Sequence, residues 1–196
     1  MDFSGVFELE GAEPDDVWVM LSDPIAIRNA LPGCKYITPY TEDFSFDTYE
    51  PEADVETLPE ADPDVVAERV FVEGQEYAAL MQVGVGSVKP RFESRITIEE
   101  RDPDEHRMVA TGHGDASDST FEMRSQMEIT GTETGSRIEW ETEADVAGRI
   151  AQLGGRVIDP VADKIVNKFF SNIEQQLTEV EESDDEGITS KLRNIL

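Results

Sequence analysis

Histidine and cysteine, which bind metals and act as nucleophiles, occur only at positions 34, 106 and 113 of this 196-residue chain. His106 and His113 fall in one predicted strand, and their odd spacing points the two imidazoles to opposite faces of a sheet. The pair therefore predicts no shared metal site. Cys34 follows a Pro-Gly turn with no general base near it in sequence, which favours a small buried or turn residue over a nucleophile.

Two glycine pairs stand within predicted strands. Gly84 and Gly86 lack the third glycine of a dinucleotide-binding loop, so they are interpreted as a bulge or bend in a curved strand. Gly112 and Gly114 share one strand face, where they either leave cavity volume or permit bending. The sequence leaves both interpretations open.

Two late segments, 119–130 and 136–147, alternate between apolar and charged residues, as strands with one wet face do. Their apolar faces carry no carboxylate, lysine or histidine. General acid–base catalysis needs a titratable group within hydrogen-bond reach of the substrate. We therefore expect a non-catalytic protein without metal or cofactor, although loops can still supply a catalytic group.

Apolar and aromatic residues are predicted to face inward from the sheet and the helices. They either fill a core or line a pocket for a lipid-like or quinone-like molecule, to which aromatic and methionine side chains are suited. We expect Trp18, on the first short helix, to close one mouth of such a pocket. The predicted lining consists of Trp18, Phe92, Ile96, Phe121, Met123, Trp140, Leu153, Ile165 and Phe169.

These residues need a sheet and helices to position them. The chain opens on an alternating strand at 2–10, followed by two short helices that begin near Pro14 and Pro24 and stop at Pro32-Gly33. Further strands are predicted at 66–73 and 75–85, as a hairpin around Glu73-Gly74, and then at 91–100, 106–116, 119–130 and 136–147. The last four segments predict an antiparallel meander.

Apolar residues recur every three or four positions from Gly148 to Val180, the period of one helix face. Pro160 removes a helical hydrogen bond, so the pattern predicts an irregular segment of about a dozen residues before a firm helix. This helix covers the apolar face of the meander. The predicted fold is α+β, with a curved antiparallel sheet wrapped on a long C-terminal helix.

Domain organisation follows from composition. Residues 1–180 predict one domain with an acidic loop insertion at about 40–66, in which Phe44, Phe46 and Tyr49 either pin the loop to the body or form a short extra strand. Residues 181–196 predict an acidic linker and a short amphipathic tail. That tail is disordered, docks on a partner protein, or touches a membrane surface weakly through residues 188–196.

The chain holds 44 acidic and 16 basic residues, a net charge of -28 that is spread along its length. A disordered acidic protein and a folded protein from a halophilic organism are the two explanations, and the strong periodicity favours the second. Such a surface repels nucleic acid. The chain has no apolar run of the ~20 residues that a membrane span needs and does not open on a signal peptide, so we expect a cytoplasmic protein.

The order of strand, two short helices, meander and long helix resembles the helix-grip architecture of the START/Bet v 1-like (SRPBCC) superfamily. A narrower resemblance, to the family of the carbon monoxide dehydrogenase G subunit, rests on Asp23-Pro24, Ala30-Leu31-Pro32-Gly33-Cys34, the segment from Val83 to Lys89, and the segment from Ala147 to Gly154 together with Phe169-Phe170. It implies an accessory role beside a molybdenum hydroxylase of the carbon monoxide dehydrogenase type. The superfamily implies an apolar ligand cavity between the sheet and the long helix.

Three functions therefore compete. The first is a non-catalytic protein that holds a hydrophobic small molecule or assists a molybdenum hydroxylase, and it needs an apolar cavity of several hundred Å³ on the scale of ~300–1,000 Å³ for ligand sites. The second is a cyclase- or hydratase-like enzyme on the same fold, which needs at least two polar groups converging in that cavity. The third is an interaction domain with a filled core.

Overall fold

The computed structural model describes residues 1–53, 55–58, 60–84, 89–116 and 118–183, with side chains through Val180. In these ranges seven strands form one antiparallel sheet in the order β1-β7-β6-β5-β4-β3-β2. The strands are β1 (Asp2–Glu10), β2 (Cys34–Pro39), β3 (Glu76–Gln82), β4 (Arg91–Asp102), β5 (Arg107–Ala116), β6 (Ser119–Gly131) and β7 (Gly135–Gly148). The predicted meander from β4 to β7 is confirmed. Alternation of apolar and polar residues encodes both these strands and their inward faces.

The helices are α1 (Pro14–Ser22), α2 (Pro24–Ala30), α3 (Pro63–Arg69) and α4 (Gly155–Ser183), with a 3-10 turn at Ala151–Leu153 before α4. Both short helices after β1 start with proline, as predicted. The Asp23 carboxylate caps α2 by accepting a hydrogen bond from the Ile25 backbone N–H at 2.9 Å. The curved sheet around a long C-terminal helix is the α+β helix-grip fold that the sequence predicted.

The predicted strand at 66–73 is wrong, because that segment begins within helix α3. Pro63 occupies the first helical turn, and the Asp62 side chain accepts a hydrogen bond from the Asp64 backbone N–H at 2.9 Å. These start signals prevail over the β-branched residues, and Val66 is fully buried on the helix. The expected hairpin around Glu73-Gly74 therefore does not form.

Strand β2 is an element that the sequence pattern did not reveal. It pairs antiparallel with β3, with Ile37 opposite Ala79, and it forms the edge of the sheet. The segment has only six residues and runs directly into the acidic stretch, so it offers too few alternations to stand out.

The start of the acidic insertion is pinned to the outer face of the sheet by its aromatic residues. The ring centroids of Tyr49 and Tyr36 lie 4.7 Å apart, and those of Phe44 and Tyr49 lie 5.1 Å apart. The Arg95 guanidinium lies 3.9 Å from the centroid of the Tyr40 ring, a cation–π contact. These aromatic residues therefore attach the loop to the body of the protein, which was one of the two predicted alternatives. The other alternative, a short extra strand, is not present at 41–53.

Several predictions lie wholly or partly outside the described residues. The linker and tail at 184–196 do so, as does the part of the Val83–Lys89 motif at 85–88, which includes the predicted bend at Gly86. The division of the chain near residue 180 stays a prediction. No described helix combines the length and the apolar character that crossing a membrane requires.

One end of the sheet is closed by α1, α2 and the second half of α4. Here Ile138 of β7 and Ile173 of α4 are fully buried, and Leu177 is 4% exposed. Helix α4 is tied to α2 by the Asn172 side-chain amide, which donates to the Ala30 carbonyl at 2.7 Å. We call this the closed end, and it is a filled core.

Candidate functional site

At the opposite end of the sheet, apolar residues of the inner face and of the first half of α4 are half-buried, from which we infer a cleft between them. On the sheet the inner face carries Phe121 and Met123 of β6, which pair with Val146 and Ala144 of β7. On α4 the wall consists of apolar residues that are also half-buried: Val157, Ile158, Val161, Ile165 and Val166. We call the space between residues 155–169 and this end of the sheet the cleft.

Helix α4 starts earlier than expected, at Gly155, so Pro160 lies inside it. The irregular segment before α4 is therefore shorter than the predicted dozen residues. It is tied to β6 by the Ile150 backbone N–H, which donates to the Ser119 hydroxyl at 2.8 Å. This contact places the first turns of α4 over the open end of the sheet.

Phe170 marks the boundary between the cleft and the closed end. Its ring stacks on Phe7 with centroids 4.8 Å apart, and it lies 6.5 Å from Trp140 and 5.1 Å from Phe169. Phe170 is only 6% exposed. Since the apolar residues before it on α4 are half-buried and those after it are buried, the Phe170–Trp140 contact forms the floor of the cleft.

Eight of the nine predicted lining residues are half-buried in the structure, at two depths, and their place in a ligand pocket stays a prediction. Ile96, Trp140 and Phe169 are half-buried and pack against the core, so they lie deep. Five others are half-buried and stand outside the core cluster: Phe92, Phe121, Met123, Leu153 and Ile165. The rings of Phe92 and Phe121 meet edge to face, with centroids 6.0 Å apart.

Trp18 lies elsewhere, in the core of the closed end, and is 3% exposed. Its ring is 5.2 Å from the Arg101 guanidinium and 5.8 Å from the His106 ring, at the β4–β5 turn. The expectation that Trp18 closes a mouth of the pocket therefore does not match its position. The sequence correctly predicted the short helix that carries Trp18 but held no information on which end of the sheet α1 covers.

Gly112 and Gly114 do not leave empty volume between the strands. A Cβ at Gly112 would lie 3.2 Å from Met123 Cε, so the methionine already occupies that space. A Cβ at Gly114 would lie 2.0 Å from the Glu93 carbonyl oxygen, so the glycine permits close approach of β4. Bending and room for the Met123 side chain, rather than cavity volume, account for the pair.

Two hydroxyl groups on the inner face were not predicted as site residues. Ser125 Oγ lies 2.8 Å from Thr142 Oγ1, between the methionines Met123 and Met127 of the same strand. Both side chains are half-buried. The alternation of β6 and β7 is the sequence signal for them, because it assigns both positions to the inner face.

The two histidines lie away from the cleft walls, and Cys34 is unsuited to act as a nucleophile. Burial raises the pKa of the Cys34 thiol from 9.0 to about 11, and the thiol donates to the Tyr36 carbonyl at 3.6 Å. His106 lies in a turn, 3.0 Å from an Asp15 carboxylate oxygen, and His113 is exposed on β5. Among the residues described, His, Cys, Asp and Glu form no group of three placed to hold a metal ion.

Alkylation of Cys34 in the folded protein is expected to be about 100-fold slower at pH 8 than alkylation of the unfolded chain, because two pKa units reduce the thiolate fraction by that factor. Mass spectrometry of iodoacetamide-treated protein, with and without urea, measures the ratio.

The same group makes stability depend on pH. The thiol stays protonated in the folded state until about pH 11 but ionises near 9.0 when unfolded, so its contribution is present below pH 9 and lost as pH rises toward 11. Between pH 8 and 11 wild type should lose about 2–3 kcal/mol more than Cys34→Ala, which shares the other titrating groups. Equal loss in both proteins would contradict the assignment.

The curved antiparallel sheet around the long C-terminal helix defines the START/Bet v 1-like helix-grip fold. Residues 54–178, more than half of the chain, match the sequence profile of the carbon monoxide dehydrogenase G subunit (CoxG). The protein therefore belongs to the CoxG family. The match includes the Ala147–Gly154 segment and Phe169-Phe170, whereas the N-terminal motifs lie outside it.

Solved structures share the fold at low sequence identity. A conserved protein from Geobacillus kaustophilus superposes with a TM-score of 0.67 at 19% identity, covering 91% of this chain and 96% of that one. The Zhui aromatase/cyclase from Streptomyces sp. R1128 gives 0.59 at 12% identity, with 94% and 98% covered. Ara h 8.0201 gives 0.57 at 13% identity, with 91% and 98% covered. No curated protein sequence matches the chain.

Proposed function

We propose that this protein binds a hydrophobic small molecule, lipid-like or quinone-like, in the cleft between α4 and the sheet. The observation that carries the proposal is the contrast along α4. Apolar side chains facing the sheet are buried from Phe170 to Val180 but only half-buried from Val157 to Phe169. Each 100 Å² of apolar wall that a ligand covers contributes about 2.5 kcal/mol, so the exposed walls favour an apolar occupant.

The contrast also bears on the other two candidate functions. An interaction domain with a filled core requires both halves of α4 to be buried alike, which the half-buried first half disfavours. A cyclase- or hydratase-like enzyme requires titratable groups converging in the cleft. The inner-face positions of β6 and β7 in the described structure carry hydroxyls and apolar groups only, which supports a non-catalytic role.

Membership of the family supports the narrower proposal that the protein assists a molybdenum hydroxylase. In this proposal the cleft holds a molecule that the partner enzyme uses or releases. A cytoplasmic location and adaptation to high salt remain proposals that accompany it.

The two tryptophans provide an internal test, since Trp140 lies in the cleft and Trp18 in the closed end. The Trp18→Phe variant keeps Trp140 as its single tryptophan, and the Trp140→Phe variant keeps Trp18. Excitation of tryptophan alone then reports on one site in each variant. Titration with a brominated fatty alcohol should quench most of the fluorescence of the first variant and little of the second, because bromine quenches on contact. Equal quenching of both variants, or of neither, would contradict binding in the cleft.

A further inference from the structure

We infer that Ser125 and Thr142 set the chemical class of the ligand: a neutral, largely apolar molecule with one hydroxyl or carbonyl oxygen, which hydrogen-bonds to this pair. The inference rests on the proposed binding in the cleft and adds a specificity to it. The two hydroxyl oxygens lie 2.8 Å apart across β6 and β7.

The surroundings make this pair a polar spot on an apolar wall. Its inner-face neighbours along the strands are Met123 and Met127 on one side and Trp140 and Ala144 on the other. Across the sheet, Ala110 pairs with Ser125 and Phe3 pairs with Thr142. A ligand that covers this wall must therefore either satisfy the hydroxyls or bury them without a partner beyond each other.

Two other inward hydroxyls of the same sheet, those of Ser136 and Ser119, have structural tasks that this pair lacks. Ser136 is 1% exposed and donates to the Ala12 carbonyl at 2.6 Å. Ser119 is 6% exposed and accepts from the Ile150 backbone N–H at 2.8 Å. Each thus ties the sheet to a neighbouring segment, whereas the hydrogen bonds described for Ser125 and Thr142 stay within β6 and β7.

The pair has hydrogen-bonding capacity left for a ligand of either polarity. Each hydroxyl donates one proton and accepts two. If Ser125 donates to the Glu141 carbonyl, 3.4 Å away, Thr142 donates to Ser125 and the pair offers lone pairs to a ligand hydroxyl. If Ser125 donates to Thr142, the Thr142 proton is free for a ligand carbonyl. Rotation of two hydroxyls interconverts the two arrangements.

The polar group of the ligand should be uncharged. Among the described residues, the inner faces of β6 and β7 present no cation or carboxylate to pair with an ionised group. Their outer faces do carry charge, as where the Gln126 amide donates to the Glu141 carboxylate at 2.9 Å. Burying an unpaired charge is costly, so a carboxylate or ammonium at this position is disfavoured.

The test compares four ten-carbon ligands by displacement of Nile red: decane, decan-1-ol, decan-2-one and decanoate. The proteins are wild type, the near-isosteric Ser125→Ala/Thr142→Val double variant, and Thr142→Ser as a conservative control that keeps the hydroxyl. The affinity of each protein for Nile red is measured first, so that competitor affinities are compared on the same scale. Glu122→Gln, on the outer face of β6, controls for changes in surface charge.

The double variant should bind decan-1-ol and decan-2-one about fivefold to tenfold more weakly than wild type, the value of one neutral hydrogen bond. Decane should bind the double variant at least as tightly as wild type, because the variant has no hydroxyls to bury, and Thr142→Ser should keep wild-type affinity for the alcohol. Decanoate should bind wild type more weakly than decan-1-ol.

Equal binding of the alcohol by wild type and the double variant, with decane displacing the probe from both, would overturn the role of the pair and leave the cleft proposal intact. If decanoate binds wild type as tightly as decan-1-ol does, the inference that the polar group of the ligand is uncharged is wrong. Failure of Nile red or any ligand to bind wild type would overturn the proposed function itself, and this inference with it.

Discussion

Replacing Trp140 by alanine should abolish most binding of an apolar probe while the protein stays folded. Replacing Ile138 by alanine should instead destabilise the fold, while the folded protein keeps its affinity for the probe. The two residues lie two positions apart on the same face of β7, so they share a strand and a face of the sheet. They differ in that Ile138 is fully buried at the closed end, whereas Trp140 is half-buried on the floor of the cleft.

The size of the effect on binding follows from the contacts of Trp140. Its ring lies over Gly5, where an added Cβ would be 3.0 Å from Trp140 Nε1, and the centroid of the Phe170 ring lies 6.5 Å away. A ligand on the floor of the cleft covers the remaining face of the indole. Losing about 60–100 Å² of that apolar contact weakens binding by roughly 1.5–2.5 kcal/mol, or about tenfold to seventyfold.

The size of the effect on stability follows from the burial of Ile138. Truncating a fully buried isoleucine to alanine removes apolar burial and leaves a cavity, which costs about 2–5 kcal/mol. Trp140→Ala removes a half-buried side chain and should cost less, because part of the cavity opens to the cleft. Urea unfolding measures stability, and Nile red titration under native conditions measures binding.

The comparison separates a ligand cleft from a filled core. If Trp140→Ala destabilises the protein as much as Ile138→Ala does, and binding falls only as the folded fraction falls, then Trp140 is a core residue. The cleft would then have no support from this side chain.

The second large effect concerns stability alone: Arg69→Met should destabilise the protein by about 3–5 kcal/mol, because it leaves a buried carboxylate without its cation. Arg69 Nε and Nη2 donate to the two oxygens of Asp23 at 2.9 and 2.6 Å. The Asp23 side chain is 1% exposed and that of Arg69 17% exposed. Methionine keeps much of the bulk and removes only the charge and the donors.

This ion pair matters because of the elements it joins. Asp23 stands between α1 and α2 and caps α2 through the Ile25 backbone N–H. Arg69 ends α3 and also donates to the Glu56 carbonyl at 2.7 Å. The pair therefore ties the second half of the acidic insertion to the helices of the closed end, and its loss should loosen residues 55–69 first.

Matched variants make the prediction specific. Arg137→Met removes an arginine from an exposed pair with Glu8 and Glu139, where the arginine side chain is 39% exposed, and should cost about 0–1 kcal/mol. Adding Asp23→Asn to Arg69→Met should restore part of the lost stability, because no unpaired charge then remains. Losses of the same size for Arg69→Met and Arg137→Met would show that the buried pair contributes no more than a surface contact.

How far the sequence predicts this protein depends on the length of each pattern. Strands β4 to β7 and helix α4 carry their periods over ten residues or more, and all were predicted. The segment at 66–73 was mistaken for a strand because a short β-branched run fits a strand and a helix equally well. Arg69 and Asp23 are 46 positions apart, and nothing in the sequence marks them as partners.

The candidate site shows the same division. Alternation placed Phe121, Met123 and Trp140 on an inward face, and the structure shows them there, half-buried. Trp18 has an equally apolar setting in the sequence, but it lies in the closed end because α1 covers that end of the sheet. Local pattern predicts that a side chain faces inward, but not which other elements meet it there.

By itself, then, the sequence determined the fold class, the meander and the side of α4 that faces the sheet, because these follow from periods of two and 3.6 residues. Only the tertiary structure decided where along α4 the core ends. The apolar period continues unchanged across Phe170, yet the apolar residues after it are buried at the end that α1 and α2 close, and those before it are only half-buried. Burial depends on what stands opposite a side chain, and that is set by packing between elements distant in sequence.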